Sequence, residues 1–251
     1  MFNRIEFWRN IVMTRKENRF VAFIDIAGYK NFVKKNPKKA LAVIKEFFKN
    51  GFYMTENSNP EFSGQINGIF ISDCGIIWTK DKVNEENLLE LFKLILRAAK
   101  NINERTIENE IMNKNQIMLT TSIAYGEFYS IKTVGHGNIQ KNLIYGQAYI
   151  DAYLDNSNRL NPGLCRIVIK DNFPEKLSRI LGSIPVDDDV LSLIRKDNSK
   201  MYYYWNCRTD DEIDTFKDQY QKAIDTQYEK MFKALSNNYG YSGNLATNLL
   251  L

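Results

Sequence analysis

The sequence predicts an α+β sandwich of the ferredoxin-like kind, in which split βαβ units lay helices over one sheet. Three observations predict it. The run "RFVAFIDIAG" (19–28) is rich in Val, Ile and Phe and closed by a glycine, as in a strand buried on both faces. Apolar residues then recur at helical spacing over 31–52 and again from Glu85 to about Ile111. The segments from 20 to 170 follow the order strand, helices, hairpin, helix, hairpin, helix, strand. At 251 residues and 44% hydrophobic, the chain can bury one large core and carry an appendage.

Taken in order, residues 20–27 form the first strand. From Asn31 to Phe52 the positions Phe32, Val33, Ala40, Val43, Ile44, Phe47 and Phe48 share a helical face, which Pro37 divides in two. "FSGQINGIFISDCGIIW" (62–78) reads as a hairpin with two competing turns, Asn67-Gly68 and Ser72-Asp73-Cys74-Gly75. Residues 116–134 are strand material with a bend or bulge at Gly126, 142–159 pass from strand to helix, and "CRIVIK" (165–170) is a further strand. After Pro174 the pattern changes. Asp187-Asp188-Asp189 reads as a helix start, since Val190, Leu191 and Leu193 follow directly. Asp210 to Leu235 reads as an amphipathic helix, and the tail from Ser236 is polar.

Bulk composition narrows the function. A net charge of +4 with 25% charged residues shows no dominant basic block, so nucleic acid is not expected as a main partner. The Lys34-Lys35 and Lys38-Lys39 pairs read as a solvated helix face. Apolar runs such as Gly68-Ile69-Phe70-Ile71 are far too short to span a membrane, and "MFNRIEFWRN" has no signal-peptide pattern, so a cytoplasmic location is expected. Cys74, Cys165 and Cys207 lie far apart and give neither a disulfide framework nor a zinc spacing; each reads as a small buried hydrophobe. His136 stands in a glycine-flanked loop without a nucleophile pattern.

Two acidic residues are out of keeping with this core. Asp25 ends the first strand, where an uncompensated charge is costly; it either caps the next turn or holds a cation. Asp73 lies 48 residues on, in the hairpin turn. By itself it is an ordinary turn residue. In a ferredoxin-like sheet these strands are neighbours, so both carboxylates can reach one edge. There they would repel unless a divalent cation lay between them, and Mg²⁺ or Mn²⁺ with phosphate and water ligands suits such a pair. The backbone amides of Ala27, Gly28 and Tyr29, leading into a helix, suit phosphate oxygens. Tyr29 and Tyr145 are candidates to stack on a base.

"FIDIAGYKNFV", "SDCGIIW", "SIAYGEF" and "IYGQAYIDAYLDN" resemble, in order and spacing, motifs of class III nucleotide cyclases, over roughly residues 19 to 170. The likeness is greatest to the pyrimidine cyclases of bacterial Pycsar anti-phage systems, which make cyclic UMP or cyclic CMP. The resemblance implies a catalytic domain over 1–172 and a partly helical extension over 173–251, packed on the core or the dimer interface. It implies that Asp25, Asp73 and the Ile26 carbonyl bind two divalent ions, with Asp25 and Asp73 catalytic. It implies attack of the ribose 3′-hydroxyl on the α-phosphorus, and a homodimer whose product reaches a separate effector activated by cyclic nucleotide.

Two departures from the family matter. Purine cyclases place base-reading residues at the positions of Ile69 and Leu143, neither of which can hydrogen-bond a purine edge. This points to a pyrimidine triphosphate, UTP first and CTP second. The transition-state Asn and Arg of the family fall at Ile150 and Leu154, with Asp151, Asn156 and Arg159 close by; Arg159 is the candidate replacement cation, or else a helix-end arginine bonded to the last carbonyls. A degenerate cyclase domain that binds nucleotide without turnover therefore stands as an alternative. A diguanylate cyclase ranks last, because its Gly-Gly-Asp/Glu-Glu-Phe signature is absent.

Overall fold

The computed structural model describes residues 17–55, 61–62, 64–115, 117–133, 141–158, 163–183, 188–197 and 200–204. Strand β1 (Asn18–Ile26) leads through Gly28 into α1 (Tyr29–Lys35), and Asn36 separates it from α2 (Pro37–Thr55). Pro37 starts α2 instead of kinking it, a position where its missing N–H costs nothing. The hairpin β2 (Ile66–Ile71) and β3 (Cys74–Thr79) follows, then α3 (Leu88–Glu108) and the short α4 (Glu110–Lys114), then β4 (Leu119–Glu127). The single helix expected to about Ile111 is divided at Asn109, whose side chain accepts from the amides of Ile111 and Met112 and so starts α4. A two-stranded ribbon, β5 (Tyr129–Thr133) and β6 (Lys141–Tyr145), precedes α5 (Gln147–Ser157) and β7 (Leu164–Ile167).

The main sheet has the order β2-β3-β1-β4-β7-β9-β8, in which β8 is Arg195–Asp197 and β9 is Lys200–Tyr204. Its first four strands are the antiparallel ferredoxin-like set, with β1 between β3 and β4. Alternation in β1 sorts the two faces. Phe20, Ala22, Ile24 and Ile26 join the large core beneath α1 to α4, while Val21 and Phe23 join a smaller one with Ile76, Trp78, Ala124, Phe128, Ala148 and Ala152 beneath α5.

The segment after residue 172 is not wholly helical. It holds α6 (Glu175–Gly182), a 3₁₀ turn (Leu191–Leu193), and the strands β8 (Arg195–Asp197) and β9 (Lys200–Tyr204). These two strands lengthen the sheet beyond β7. Asp188 does start a turn, accepting from the Val190 and Leu191 amides, but the turn is 3₁₀. Arg159, His136, Cys207, the segment 210–235 and the tail from Ser236 lie outside the described residues.

Candidate active site

The hairpin turn decides where Asp73 goes. Ile71 pairs with Cys74, so Ser72-Asp73 is the two-residue turn and Asn67-Gly68 lies inside β2. Ser72 takes the left-handed conformation (φ 55), which lets the chain reverse there. Packing below the turn outweighs the Asn-Gly signal. The Phe70 ring lies on the helical side against Phe47, ring centroids 5.4 Å apart, and covers the faces of Gly51 and Gly75, where any side chain would collide with it.

Register then brings the acids together. Asp25 lies directly across from Cys74, and the Ile26 N–H donates to the Asp73 carbonyl at 2.9 Å. Asp25 is on the same sheet face as Val21 and Phe23, the face that α5 covers. Its pKa is pushed up to about 7, first by burial and then by the charge of Asp73. Among the described residues no cationic side chain is paired with either carboxylate. Two carboxylates on adjoining segments with no counter-charge would repel unless a divalent cation lay between them. No group of three or more His, Cys, Asp or Glu placed to hold a metal ion by itself occurs among the described residues. A cation here would therefore rely on two carboxylates, a backbone carbonyl such as that of Ile26, and oxygens from substrate or water.

Of the three amides assigned to phosphate, that of Ala27 already donates to the Met118 carbonyl at 2.9 Å. Gly28 and Tyr29 form the turn itself. Gly28 has φ 71, a conformation that glycine adopts without steric cost and that swings the chain from β1 into α1. The Tyr29 ring is buried, and its hydroxyl donates to the Ala40 carbonyl at 2.9 Å, so it packs and does not stack on a base. Tyr145 stacks on Tyr129, centroids 4.8 Å apart.

Helix α5 turns its polar residues inward. The Asp151 side chain is 2% exposed and accepts from Lys170 at 2.6 Å and Gln147 at 2.9 Å. Asp155 accepts from Ser122 at 2.6 Å and pairs with Arg166 at 3.1 Å. Asn156 accepts from the Thr120 hydroxyl and donates to the Phe23 carbonyl. Asp151 and Asn156 thus serve to seat the helix. Outward from it project Ile150 and Leu154, while Tyr153, its ring edge-on to Phe23 at 5.3 Å, is also more than two-fifths exposed. Leu143 on β6 is exposed, and Ile69 on β2 is half-buried beside the small core.

Sequence reasoning missed Cys74 as a neighbour of the site. Expected to be a buried hydrophobe, it is only partly buried, and its thiol donates to the Ile71 carbonyl at 3.2 Å. Burial first, then Asp25 and Asp73, push its pKa up to about 11. The signal was its place one residue past Asp73, opposite Asp25 in the register. Cys165 is buried, as expected.

No family model matches the chain, and no curated protein does. Solved structures do. The guanylate cyclase domain of RhGC from Catenaria anguillulae, in complex with GTP, matches 75% of this chain and 96% of its own at 14% identity, with a TM-score of 0.51. The adenylyl cyclase CyaB from P. aeruginosa matches 78% of this chain and 97% of its own at 14% identity, with a TM-score of 0.50. The monomeric guanylyl cyclase domain of the RhoGC fusion protein from the aquatic fungus Blastocladiella emersonii matches 75% of this chain and 95% of its own at 13% identity, TM-score 0.51. This is the fold of class III nucleotide cyclase catalytic domains. Within that cyclase fold, Asp25 and Asp73 lie at the margin of the sheet between β1 and the β2–β3 turn.

Proposed function

We propose that the protein is a metal-dependent nucleotide cyclase converting UTP to 3′,5′-cyclic UMP and pyrophosphate, with CTP and cyclic CMP as the alternative. The observation that carries this reading is the convergence of Asp25 and Asp73 at one sheet margin with no cationic side chain among the described residues to balance them. Asp25, Asp73 and the Ile26 carbonyl would hold two divalent cations, Mg²⁺ or Mn²⁺, which when bound acidify the attacking hydroxyl and neutralise the triphosphate. The chain's own part is positional. β1 and the Ser72-Asp73 turn would hold both carboxylates, and the Gly28-Tyr29 turn would offer its amides to phosphate oxygens. The ribose 3′-hydroxyl then attacks the α-phosphorus in line and pyrophosphate departs, a reaction in which orientation and charge supply most of the acceleration.

Base choice rests on Ile69 and Leu143. Both are apolar, and a purine edge would find no partner at either position, which favours the smaller pyrimidine ring. The exposed apolar residues Ile71, Ile150, Tyr153 and Leu154 support a homodimer, since a second copy would cover them. The product would act as a second messenger on a separate effector in anti-phage defence.

A second reading, a nucleotide-binding domain without turnover, is favoured by α5. Asp151 and Asn156 are bonded inward, and Ile150 and Leu154 carry no polar group outward. Arg159 is the remaining candidate for the transition-state cation. Mass spectrometry after incubation with each of the four NTPs and Mn²⁺ separates the readings. A cyclic pyrimidine monophosphate supports turnover. No cyclic product from any of the four supports binding alone, and a cyclic purine product overturns the base assignment.

A further inference from the structure

Positive charge is concentrated in one place. Residues 29–55, which are α1 and α2, hold seven lysines and one glutamate, a net +6, while the whole chain is +4 and all the rest is therefore −2. Glu46 is already bonded to Lys49 and Asn109. Lys30, Lys34, Lys35, Lys38, Lys39 and Lys45 are exposed and make no ion pair among the described residues.

Lys38 and Lys45 do not stand on a purely polar face. Helix α2 buries Ala40, Val43, Phe47 and Met54 toward the sheet. Its opposite face carries Lys38, Leu41, Lys45, Lys49 and Phe52 at helical spacing, with Leu41 56% and Phe52 54% exposed. Leu41 and Phe52 are eleven residues apart, about 16 Å along the axis, with lysines between and beyond them. Leu41, and Phe52 with its ring 6.0 Å from that of Phe48, thus put apolar area on an otherwise basic face.

We propose that this face of α1 and α2 docks the protein on a lipid bilayer that carries anionic headgroups. The lysines would lie over the headgroups while Leu41 and Phe52 enter the boundary with the acyl chains. A second copy of the chain is disfavoured as occupant, because +6 would meet +6. Nucleic acid fits less well. Residues 29–55 contain no arginine to fork onto phosphate or guanine, and Tyr53 already lies beneath the Arg105 guanidinium at 3.3 Å. Two separated apolar tips also suit a fluid interface better than the contiguous central anchor of a protein partner. The face lies across the sheet from α5, so docking leaves the apolar residues of α5 uncovered.

Co-sedimentation of the full chain with vesicles tests this. The expected result is binding to phosphatidylcholine vesicles containing about one-third phosphatidylglycerol, none to pure phosphatidylcholine, and a decline with added salt. The Lys34→Glu/Lys35→Glu/Lys38→Glu/Lys39→Glu variant should lose at least about a hundredfold in partition coefficient. Leu41→Gln/Phe52→Gln should lose about tenfold or more, since both positions are already exposed and circular dichroism can verify the fold. No binding of wild type to anionic vesicles overturns the proposal. So does full binding by either variant. Binding to a single-stranded RNA or a DNA duplex, lost in the charge-reversed variant while vesicles are ignored, replaces it with nucleic acid as the partner.

Discussion

At the scale of single side chains, Asp25 sets the behaviour of the site. Burial and the charge of Asp73 raise its pKa from an ordinary 3.8 to about 7. A carboxyl whose pKa is higher folded than unfolded binds more protons in the native state. Its contribution to stability is therefore complete below about pH 4 and is lost as pH rises toward 7. The metal-free protein should accordingly melt at a lower temperature at pH 8 than at pH 5.5. Asp25→Asn should flatten that dependence and raise the melting temperature at pH 8, as scanning calorimetry in a chelator would show. An unchanged slope in the variant would assign the pH dependence to other groups. Asp25 itself was legible in the sequence, because a lone carboxylate at the end of "RFVAFID" has few uses. Cys74 was not, because its position is set by the register between β1 and β3, and register depends on which turn closes the hairpin.

At the scale of elements, the β2–β3 hairpin and α5 hold the site in place. Phe70 lies over Gly75, two residues after Asp73, with no room for a methyl group. Gly75→Ala should cost about 1–3 kcal/mol through the displaced ring. Any nucleotide-dependent activity should fall further than that loss of stability accounts for, because the displaced turn carries Asp73; urea titration and initial rates would measure the two. On α5, Asn156→Ala removes bonds to Thr120 and to the Phe23 carbonyl and should cost about 1–3 kcal/mol. A loss under about half a kcal/mol would mean that solvent already satisfies those groups. The helices of the core, α1 to α3 and α5, were legible because their apolar spacing is strong and Pro37 marks a start. The hairpin turn was half legible: Asp73 was placed in it, but Asn67-Gly68 competed. The Asn-Gly signal is local, whereas the winning turn depends on Phe70 packing against Phe47 and Gly51, which are far away in sequence.

At the scale of the whole molecule, the ferredoxin-like order of strands and helices could be read from periodicity alone, and β1 does lie between β3 and β4. What followed residue 172 could not. "KMYYY" is too short and too polar at its start to declare a strand, and it becomes β9 only because β7 offers an open edge. This extension is tied to the core by charge as well as by packing. Asp188 pairs with Lys93 of α3 at 2.6 Å and caps the 3₁₀ turn, while Asp189 pairs with Arg97. Burial alone would raise the Asp188 pKa, but Lys93 and the two capped amides outweigh it and hold the carboxyl below its usual range. Its contribution is present above about pH 4 and lost as pH falls below that. Asp188→Ala should cost about 1–2 kcal/mol at pH 7, and the difference from wild type should shrink on acidification. A difference that does not vary with pH would remove the ionic part of this tie.

The proposed chemistry depends on one arrangement, two carboxylates at a sheet margin that would grip divalent cations together with a triphosphate. Calorimetric titration of Mn²⁺ into the protein with a non-cyclisable UTP analogue tests this most directly, using wild type, Asp25→Ala and Asp73→Ala. Saturable binding by wild type, lost in both variants while their folds persist, is the predicted result. Binding as tight in either variant as in wild type would contradict it.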